Sequence, residues 1–292
     1  MGILLSVLFG VLLLVNGIAC SMGSEDRKQI YVFNLLVPLF TLILVLIFRV
    51  DWQALLQYSY VYTEKVILLL VLSGLCGLGY AMMLMFAMNT GPHALTLSIG
   101  ESCLVIPYLY SVIVWKDPVS PLGIVGFILL AVSFIAIGFT KEKDLDKKDF
   151  SNKWFILILT AFLLGGAELT LYTIPNRLAG FEDPANLRPA LIQVGRMVMF
   201  IPILAKKIKP QKKTAIISLI AAVFNVFVAV IQFMAMDYLA KDQMMAVLYP
   251  IGMGTYILLF TAYGFYYRKE RLSTPAWLSM AAIVTGIVLL CF

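Results

Sequence analysis

Three ionisable side chains lie inside long apolar stretches of this sequence. They are Glu101, Glu168 and Arg196. A charged side chain in the hydrocarbon of a bilayer is energetically costly, so such groups are expected to face protein or water. We therefore consider each of them a candidate for binding a polar solute or an ion. For Glu101 the alternative is a protonated or hydrogen-bonded carboxyl with a structural role only.

Arg196 has three possible roles. A buried guanidinium is nearly always paired with a carboxylate or directed at an anionic ligand. Arg196 could pair with Glu168 or Glu101 and hold helices together. It could instead bind a carboxylate of a solute while a glutamate binds the amine or hydroxyl of that solute. Its long side chain could also extend to the membrane surface.

The three groups leave one negative charge uncompensated if all of them ionise. That charge could bind a coupling ion, either a proton or a sodium ion. Glu101 and Glu168 are the two candidates for this coupling site, because they are the acidic members of the set.

Uncharged polar side chains complete the candidate solute-binding set. The amides are Asn16, Asn34, Gln193, Asn225 and Gln232, and the tyrosines are Tyr80, Tyr249 and Tyr256. A single amide in an apolar span is typical of a hydrogen bond between helices. Taken together, the amides favour a wet central chamber. Tyrosine offers an apolar face and a hydroxyl, which suits a ring-bearing or sugar-like solute, although packing explains it equally well.

Two prolines are candidate hinges. Pro107 and Pro250 lie within apolar spans at corresponding places in the two halves of the chain. Proline removes a backbone hydrogen bond from a helix and bends it. We therefore expect a bend near each residue.

The elements that position these groups are predicted to be membrane-spanning helices. The chain is 62% apolar and 13% charged, whereas soluble domains average about 45–50% and about 25%. About 20 apolar residues span a bilayer as a helix. The sequence therefore predicts an all-α integral membrane protein with ten transmembrane helices.

Several other classes are not favoured. The net charge of +6 is explained by Lys and Arg in cytoplasmic loops, so no nucleic-acid partner is expected. The sequence contains no P-loop, no nucleophile with a base and no metal-ligand spacing. We predict neither an enzyme nor a bound metal or cofactor.

A charged segment, residues 141–153, divides the chain into residues 1–140 and residues 154–292, with five predicted spans each. The segments Trp115–Gly138 and Tyr267–Cys291 are alike, since each has an apolar span, a short charged turn, Ser and Pro, and then a last apolar span. An odd number of spans in each half inverts the second copy relative to the first. Inverted repeats of this kind are typical of secondary transporters, whose site lies near the membrane midplane.

These segments also resemble a known family. The pattern AMNTGPHALTLS followed by WKDPVSP, within Ala87–Gly126, and KERLS with PAW, within Lys269–Trp277, are similar to the drug/metabolite transporter superfamily of the EamA type. The resemblance implies ten helices as two inverted five-helix repeats. It also implies a central cavity enclosed by spans 1–4 and 6–9, with spans 5 and 10 outside.

Lys and Arg are concentrated in the turns that follow the odd-numbered spans, which predicts that these turns are cytoplasmic and that both termini lie outside. We expect a multi-pass protein of the cell (inner) membrane, as a monomer or homodimer. The predicted function is secondary active transport of a small polar metabolite, carboxylate-bearing or sugar-like, by alternating access. The alternatives are a multidrug or cation efflux pump, and a membrane receptor or subunit that transports nothing.

Overall fold

The computed structural model describes residues 1–116, 120–139, 152–178, 183–241, 248–270 and 273–289. The regular structure of these residues is helical throughout. Long apolar segments favour helices because an α-helix pairs its own backbone N–H and C=O groups, which hydrocarbon cannot do.

The described ranges contain thirteen α-helices. They are α1 (Gly2–Gly23), α2 (Arg27–Phe48), α3 (Trp52–Gln57), α4 (Glu64–Met88), α5 (His93–Glu101), α6 (Val105–Val114), α7 (Pro121–Phe139), α8 (Asn152–Thr173), α9 (Arg188–Arg196), α10 (Phe200–Lys206), α11 (Lys212–Lys241), α12 (Leu248–Tyr266) and α13 (Thr274–Leu289).

Seven helical segments of the described chain are long and apolar enough to cross a membrane. They are α1, α2, α4, α5 with α6, α8, α9 with α10, and α11 up to Gln232. Parts of α7, α12 and α13 form shorter apolar helices. This content is consistent with the predicted all-α, multi-pass membrane protein.

Side-chain caps fix where several helices begin. Asp26 accepts a hydrogen bond from the backbone N–H of Lys28 at the start of α2, and Asp51 accepts from Gln53 and Ala54 at the start of α3. Such caps satisfy N–H groups that have no partner within the helix. The sequence therefore places α2, and the short α3 that follows it, at defined points along the chain.

Two of the membrane-length segments are interrupted in the middle. A 3₁₀ turn at Ser102–Leu104 separates α5 from α6, and another at Met197–Met199 separates α9 from α10. Each break lies one turn before a proline, Pro107 or Pro202. Proline has no N–H for the carbonyl four residues earlier, so the regular helical hydrogen bonding is lost at that point.

The predicted bend near Pro107 thus has a structural counterpart, whereas the break caused by Pro202 was not anticipated. Pro250 is the third residue of α12, and its side chain lies outside the described part of the structure. Hinge motion at either predicted proline stays a prediction.

The helices pack in a regular order around a central space. Helix α4 packs against α8 and α9, and α11 packs against α1 and α2. Helix α12 contacts α1, α6 contacts α8, and α2 contacts α9. Helices α7 and α13 pack against each other. The charged segment predicted at residues 141–153 lies outside the described residues up to residue 151.

Glycines bring α4 and α9 into close contact. A Cβ on Gly74 would collide with the carbonyl oxygen of Ile192, and a Cβ on Gly195 would collide with that of Val71. Small residues at such contacts let helix backbones approach closely. The glycine-rich stretch of α4 therefore holds α9, and with it Arg196, close to the centre of the molecule.

Candidate functional site

A cavity of about 400 Å³ lies between the helices. Residues of α1, α2, α4, α5, α8, α9, α11 and α12 line it. Among the described residues, none from α7 or α13 contributes to its wall. The cavity is therefore enclosed by helices from both halves of the chain.

All the predicted solute-binding residues except Tyr249 line this one cavity. They are Glu101, Glu168, Arg196, Asn16, Asn34, Tyr80, Gln193, Asn225, Gln232 and Tyr256. The side chain of Tyr249 lies outside the described part of the structure. Polar residues of eight separate helices are thus brought together.

Arg196 forms an ion pair with Glu168 on the cavity wall. The Nη2 of Arg196, the last residue of α9, donates a hydrogen bond to Oε1 of Glu168 in α8 at 2.6 Å. The two side chains are only 22% and 16% exposed. Removing one partner of such a pair would leave an uncompensated buried charge, so the pair fixes the relative positions of α8 and α9.

Helix α4 is shaped to receive this ion pair. A Cβ on Gly77 would collide with both Glu168 Oε1 and Arg196 Nη2. One turn earlier, the hydroxyl of Ser73 donates a hydrogen bond to the backbone carbonyl of Glu168 at 3.0 Å. Any larger residue at position 77 would therefore displace the pair.

Glu101 has a different environment. It is the last residue of α5, just before the 3₁₀ turn Ser102–Leu104, and Oε1 accepts a hydrogen bond from the hydroxyl of Tyr80 at 3.0 Å. Within the described residues, no Lys or Arg forms an ion pair with it. The alternative that Arg196 pairs with Glu101 is therefore wrong for this conformation.

Two of the predicted amides also connect helices. The amide nitrogen of Asn16 in α1 donates a hydrogen bond to Oδ1 of Asn225 in α11 at 2.7 Å. The amide nitrogen of Asn34 lies 2.9 Å from the carbonyl of Ile30 and 3.1 Å from the sulfur of Met85. Part of the amide set therefore stabilises the helix arrangement while lining the cavity.

Four buried polar atoms of the cavity residues have no hydrogen-bond partner among the described residues. They are Nε of Arg196, Oε1 of Gln193, Oδ1 of Asn16 and Oγ1 of Thr41. A buried polar group without a partner is destabilising, and nearly all such groups in proteins are satisfied. In this conformation these atoms are unpaired and covered by protein, so a side-chain or helix movement has to expose them before they can bind a polar molecule.

The cavity reaches one end of the helix bundle. Its wall includes Arg49, which follows α2, and Asn186, which precedes α9. At the opposite end, in the turns between α1 and α2 and between α12 and α13, none of the described residues lines it. The described cavity is therefore asymmetric along the helix axes.

An ionic network, which the sequence did not reveal, lies at the end that the cavity does not reach. Glu25 in the turn after α1 pairs with Lys213 of α11 at 3.0 Å and with Arg268 after α12 at 3.1 Å. The hydrogen bond from Lys213 lowers the pKa of the Glu25 carboxyl below its usual value, and the positive charge of Arg268 adds to this effect. Glu25 thus joins the two halves of the chain.

A second carboxylate extends this network. Glu270 accepts hydrogen bonds from the backbone N–H groups of His93 and Ala94, at 2.8 and 3.1 Å, and so caps the start of α5. An acidic side chain is stabilising at a helix N-terminus. In addition, Nη2 of Arg268 lies 3.1 Å from Nε2 of His93. The single histidine therefore belongs to this closed end.

The described residues contain no group of three His, Cys, Asp or Glu side chains that could hold a metal ion.

Comparisons with known proteins give the fold and nothing more specific. No protein-family model and no curated protein matches the sequence. The structure is similar to a crystal structure of a protein over 97% of this chain and 96% of that chain, with a TM-score of 0.59 and 14% sequence identity. The arrangement of helices thus also occurs in an experimentally solved protein, over almost the whole length of both chains.

Proposed function

We propose that the protein is a secondary active transporter that moves a small polar solute across the membrane by alternating access. The observation that carries this proposal is the shared cavity, whose wall holds Glu101, Glu168 and Arg196 and is built by helices of both halves. Ionisable residues at membrane depth typically mark solute or ion pathways.

The proposal includes ten spans in two inverted repeats, as in the EamA-type drug/metabolite transporters. Counting α5 with α6 and α9 with α10 as single passes, and leaving out the short α3, gives five passes on each side of residues 141–153. If all ten are membrane passes, the odd number in each half inverts the second half relative to the first.

The packing order supports this relation. The contact of α4 with α8 corresponds to that of α11 with α1 when the halves are exchanged, and α4 with α9 corresponds to α11 with α2. The contact of α6 with α8 corresponds to α12 with α1. The pairs α2 with α9 and α7 with α13 each correspond to themselves. Pseudo-twofold symmetry of this kind is typical of inverted-repeat transporters.

The unpaired polar atoms of the cavity residues favour a solute with both acceptor and donor groups. Nε of Arg196 requires an acceptor, which a carboxylate or hydroxyl oxygen supplies, whereas Gln193 and Asn16 offer acceptors to hydroxyl or amine donors. A solute that carries both kinds of group, such as a carboxylate-bearing metabolite or a sugar, offers a partner to each of these three atoms once movement during the transport cycle exposes them.

Alternating access also gives a role to the ionic network of Glu25. The cavity reaches the end of the bundle near Arg49 and Asn186. Release of solute at the other end, which holds Glu25, therefore requires the contacts of Glu25 with Lys213 and Arg268 to separate. Exposed ion pairs contribute about 0–1 kcal/mol each. A network of this strength closes one end and still opens during a transport cycle.

A second candidate is efflux of organic cations. It is favoured by Glu101, which has no basic partner among the described residues and could bind a positive group. The two candidates differ at Arg196, since a cation pump does not need its guanidinium for binding. A receptor or subunit that transports nothing predicts that no solute accumulates.

A thermal-shift screen of the purified full chain against a metabolite library tests the proposal. A ligand that binds only the folded state stabilises it by about 2.7 kcal/mol at a concentration 100 times its Kd. We expect at least one polar metabolite to raise the melting temperature of the wild type but not that of Arg196→Ala. Stabilisation by organic cations alone, unchanged in Arg196→Ala, would favour the second candidate. If no solute stabilised the protein, transport would lose its support.

A further inference from the structure

The two acidic side chains on the cavity wall differ in their partners. Glu168 lies 2.6 Å from the guanidinium of Arg196, which compensates its charge. Glu101 lies against a neutral tyrosine hydroxyl and forms no ion pair with a described residue. If all three groups ionised, the uncompensated negative charge of the cavity would therefore be that of Glu101.

The titratable and charged groups around Glu101 come from several helices. They are Tyr80 of α4, Tyr256 of α12, Cys20 of α1, Cys103 of the 3₁₀ turn Ser102–Leu104, Glu168 of α8 and Arg196 of α9. Only Arg196 is cationic, and it is engaged by Glu168. An ionised Glu101 would thus add a second negative charge to a site that already holds Glu168.

A half-buried carboxyl without a cationic partner is expected to carry a proton. Taking an unpaired charge out of water is costly, and a buried acid avoids that cost by becoming neutral. The hydroxyl of Tyr80 donates to Oε1 of Glu101, as it would to the carbonyl oxygen of a neutral acid. The second oxygen is then the one that holds the proton.

We propose that Glu101 is the proton-binding site of this protein, distinct from the Arg196–Glu168 pair that binds solute, and that its protonation is coupled to transport. The proposal rests on the transport function above. During the cycle a proton passes from water at the open end of the cavity to a carboxylate oxygen of Glu101. It leaves as the same O–H bond breaks, with no other change in bonding.

The surroundings of Glu101 favour a proton over a metal cation. Hard cations take several oxygen ligands at once. The neighbours of Glu101 include the thiols of Cys20 and Cys103 and the hydroxyl of Tyr80, which already donates to the carboxyl. Among the described residues, the side-chain hydrogen bond of Glu101 is the one from Tyr80, an arrangement that suits a protonated carboxyl.

Infrared spectroscopy of the purified full chain, without any solute, tests this assignment. A protonated carboxylic acid gives a carbonyl band that a carboxylate does not. We expect this band at neutral pH in the wild type, its loss in Glu101→Gln, and its retention in Glu64→Gln, a matched change at an exposed glutamate at the start of α4.

A second variant keeps the test decisive if Glu101→Gln does not fold. Tyr80→Phe removes the hydrogen bond to the carbonyl oxygen, so the band should persist and move to higher frequency. The proposal is overturned if the wild type lacks the band at neutral pH, if the band survives in Glu101→Gln, or if added sodium chloride at constant pH abolishes it. Because the measurement needs no solute, it can fail or succeed independently of transport.

Discussion

Arg196 and Glu168 form an ion pair across α8 and α9, with 2.6 Å between Nη2 and Oε1, and the cavity opens beside them. The pair could serve only to hold the helices together, or it could also bind solute. Single and double variants separate these two roles, because stability reports the first role and transport reports both.

We predict that Arg196→Ala and Glu168→Gln each lower the free energy of unfolding by about 3 kcal/mol, since each leaves a buried charge without its partner. The double variant should be more stable than either single variant, because neither charge remains. Equilibrium unfolding in mixed detergent micelles measures this. Transport should remain lost in the double variant; recovery of both properties would show that the pair is structural only.

Gly77 is expected to tolerate no side chain. The Cβ of Gly77→Ala would occupy the position of Glu168 Oε1 and Arg196 Nη2, so the ion pair must move. We predict that this variant loses the solute-induced rise in melting temperature. Gly254→Ala is the matched control, since its Cβ would meet nothing within 4 Å. Equal solute responses from the two variants would rule out this role for Gly77.

Glu25 should give the protein a pH-dependent stability. Its pKa is lowered in the folded protein, mainly by the hydrogen bond from Lys213. The stabilisation is therefore present above the ordinary carboxyl pKa and is lost as the pH falls through the lowered value. We predict that the difference in melting temperature between the wild type and Glu25→Gln is present at neutral pH and disappears in acid.

Added salt provides an independent check on the same pair of proteins. The side chains of Glu25 and Lys213 are 44% and 60% exposed, so salt screens their interaction. The stability difference between the wild type and Glu25→Gln should shrink at high ionic strength. A difference that is independent of both pH and salt would show that the ion pairs contribute nothing.

Tyr62 is predicted to hold the segment before α9. Its hydroxyl donates to Oδ1 of Asp183 at 2.6 Å, and burial together with this hydrogen bond raises the pKa of Tyr62 above its usual value. Asp183 in turn accepts from the backbone N–H of Leu187 and pairs with Arg188. These contacts position the start of α9, and so bear on the mouth of the cavity.

Removing that hydroxyl should therefore destabilise the fold. We predict that Tyr62→Phe lowers the free energy of unfolding by about 2 kcal/mol, the range for hydrogen bonds to charged groups. Tyr60→Phe is the control, since Tyr60 is 74% exposed, and it should change stability by less than about 0.5 kcal/mol. Equal effects in an unfolding titration would contradict the contact between Tyr62 and Asp183.

The cavity residues could be predicted from sequence because polar groups in apolar segments must avoid lipid. This one constraint brought Glu101, Glu168 and Arg196 to one site, together with amides of α1, α2, α9 and α11. It is a rule about environment, so it needs no knowledge of how the helices are rotated. For the same reason it says nothing about which groups pair.

The sequence did not reveal which of these groups pair with each other. Pairing of Arg196 with Glu168, and not with Glu101, depends on the rotation of α8 and α9, which uniformly apolar helices do not reveal. The contacts of Glu25 join turns far apart in the chain. Pro202 could have been used to predict the break between α9 and α10, since it lies in a predicted span as Pro107 does.

Uptake driven by an imposed pH gradient in proteoliposomes, with a solute identified by the thermal-shift screen, tests the transport function most directly. The wild type should accumulate the solute, whereas Glu101→Gln and Arg196→Ala should not, with folding confirmed by their melting curves. Glu101→Gln should still exchange solute without a gradient. Full accumulation by both variants, or none by the wild type, would contradict a transport cavity that depends on these two side chains.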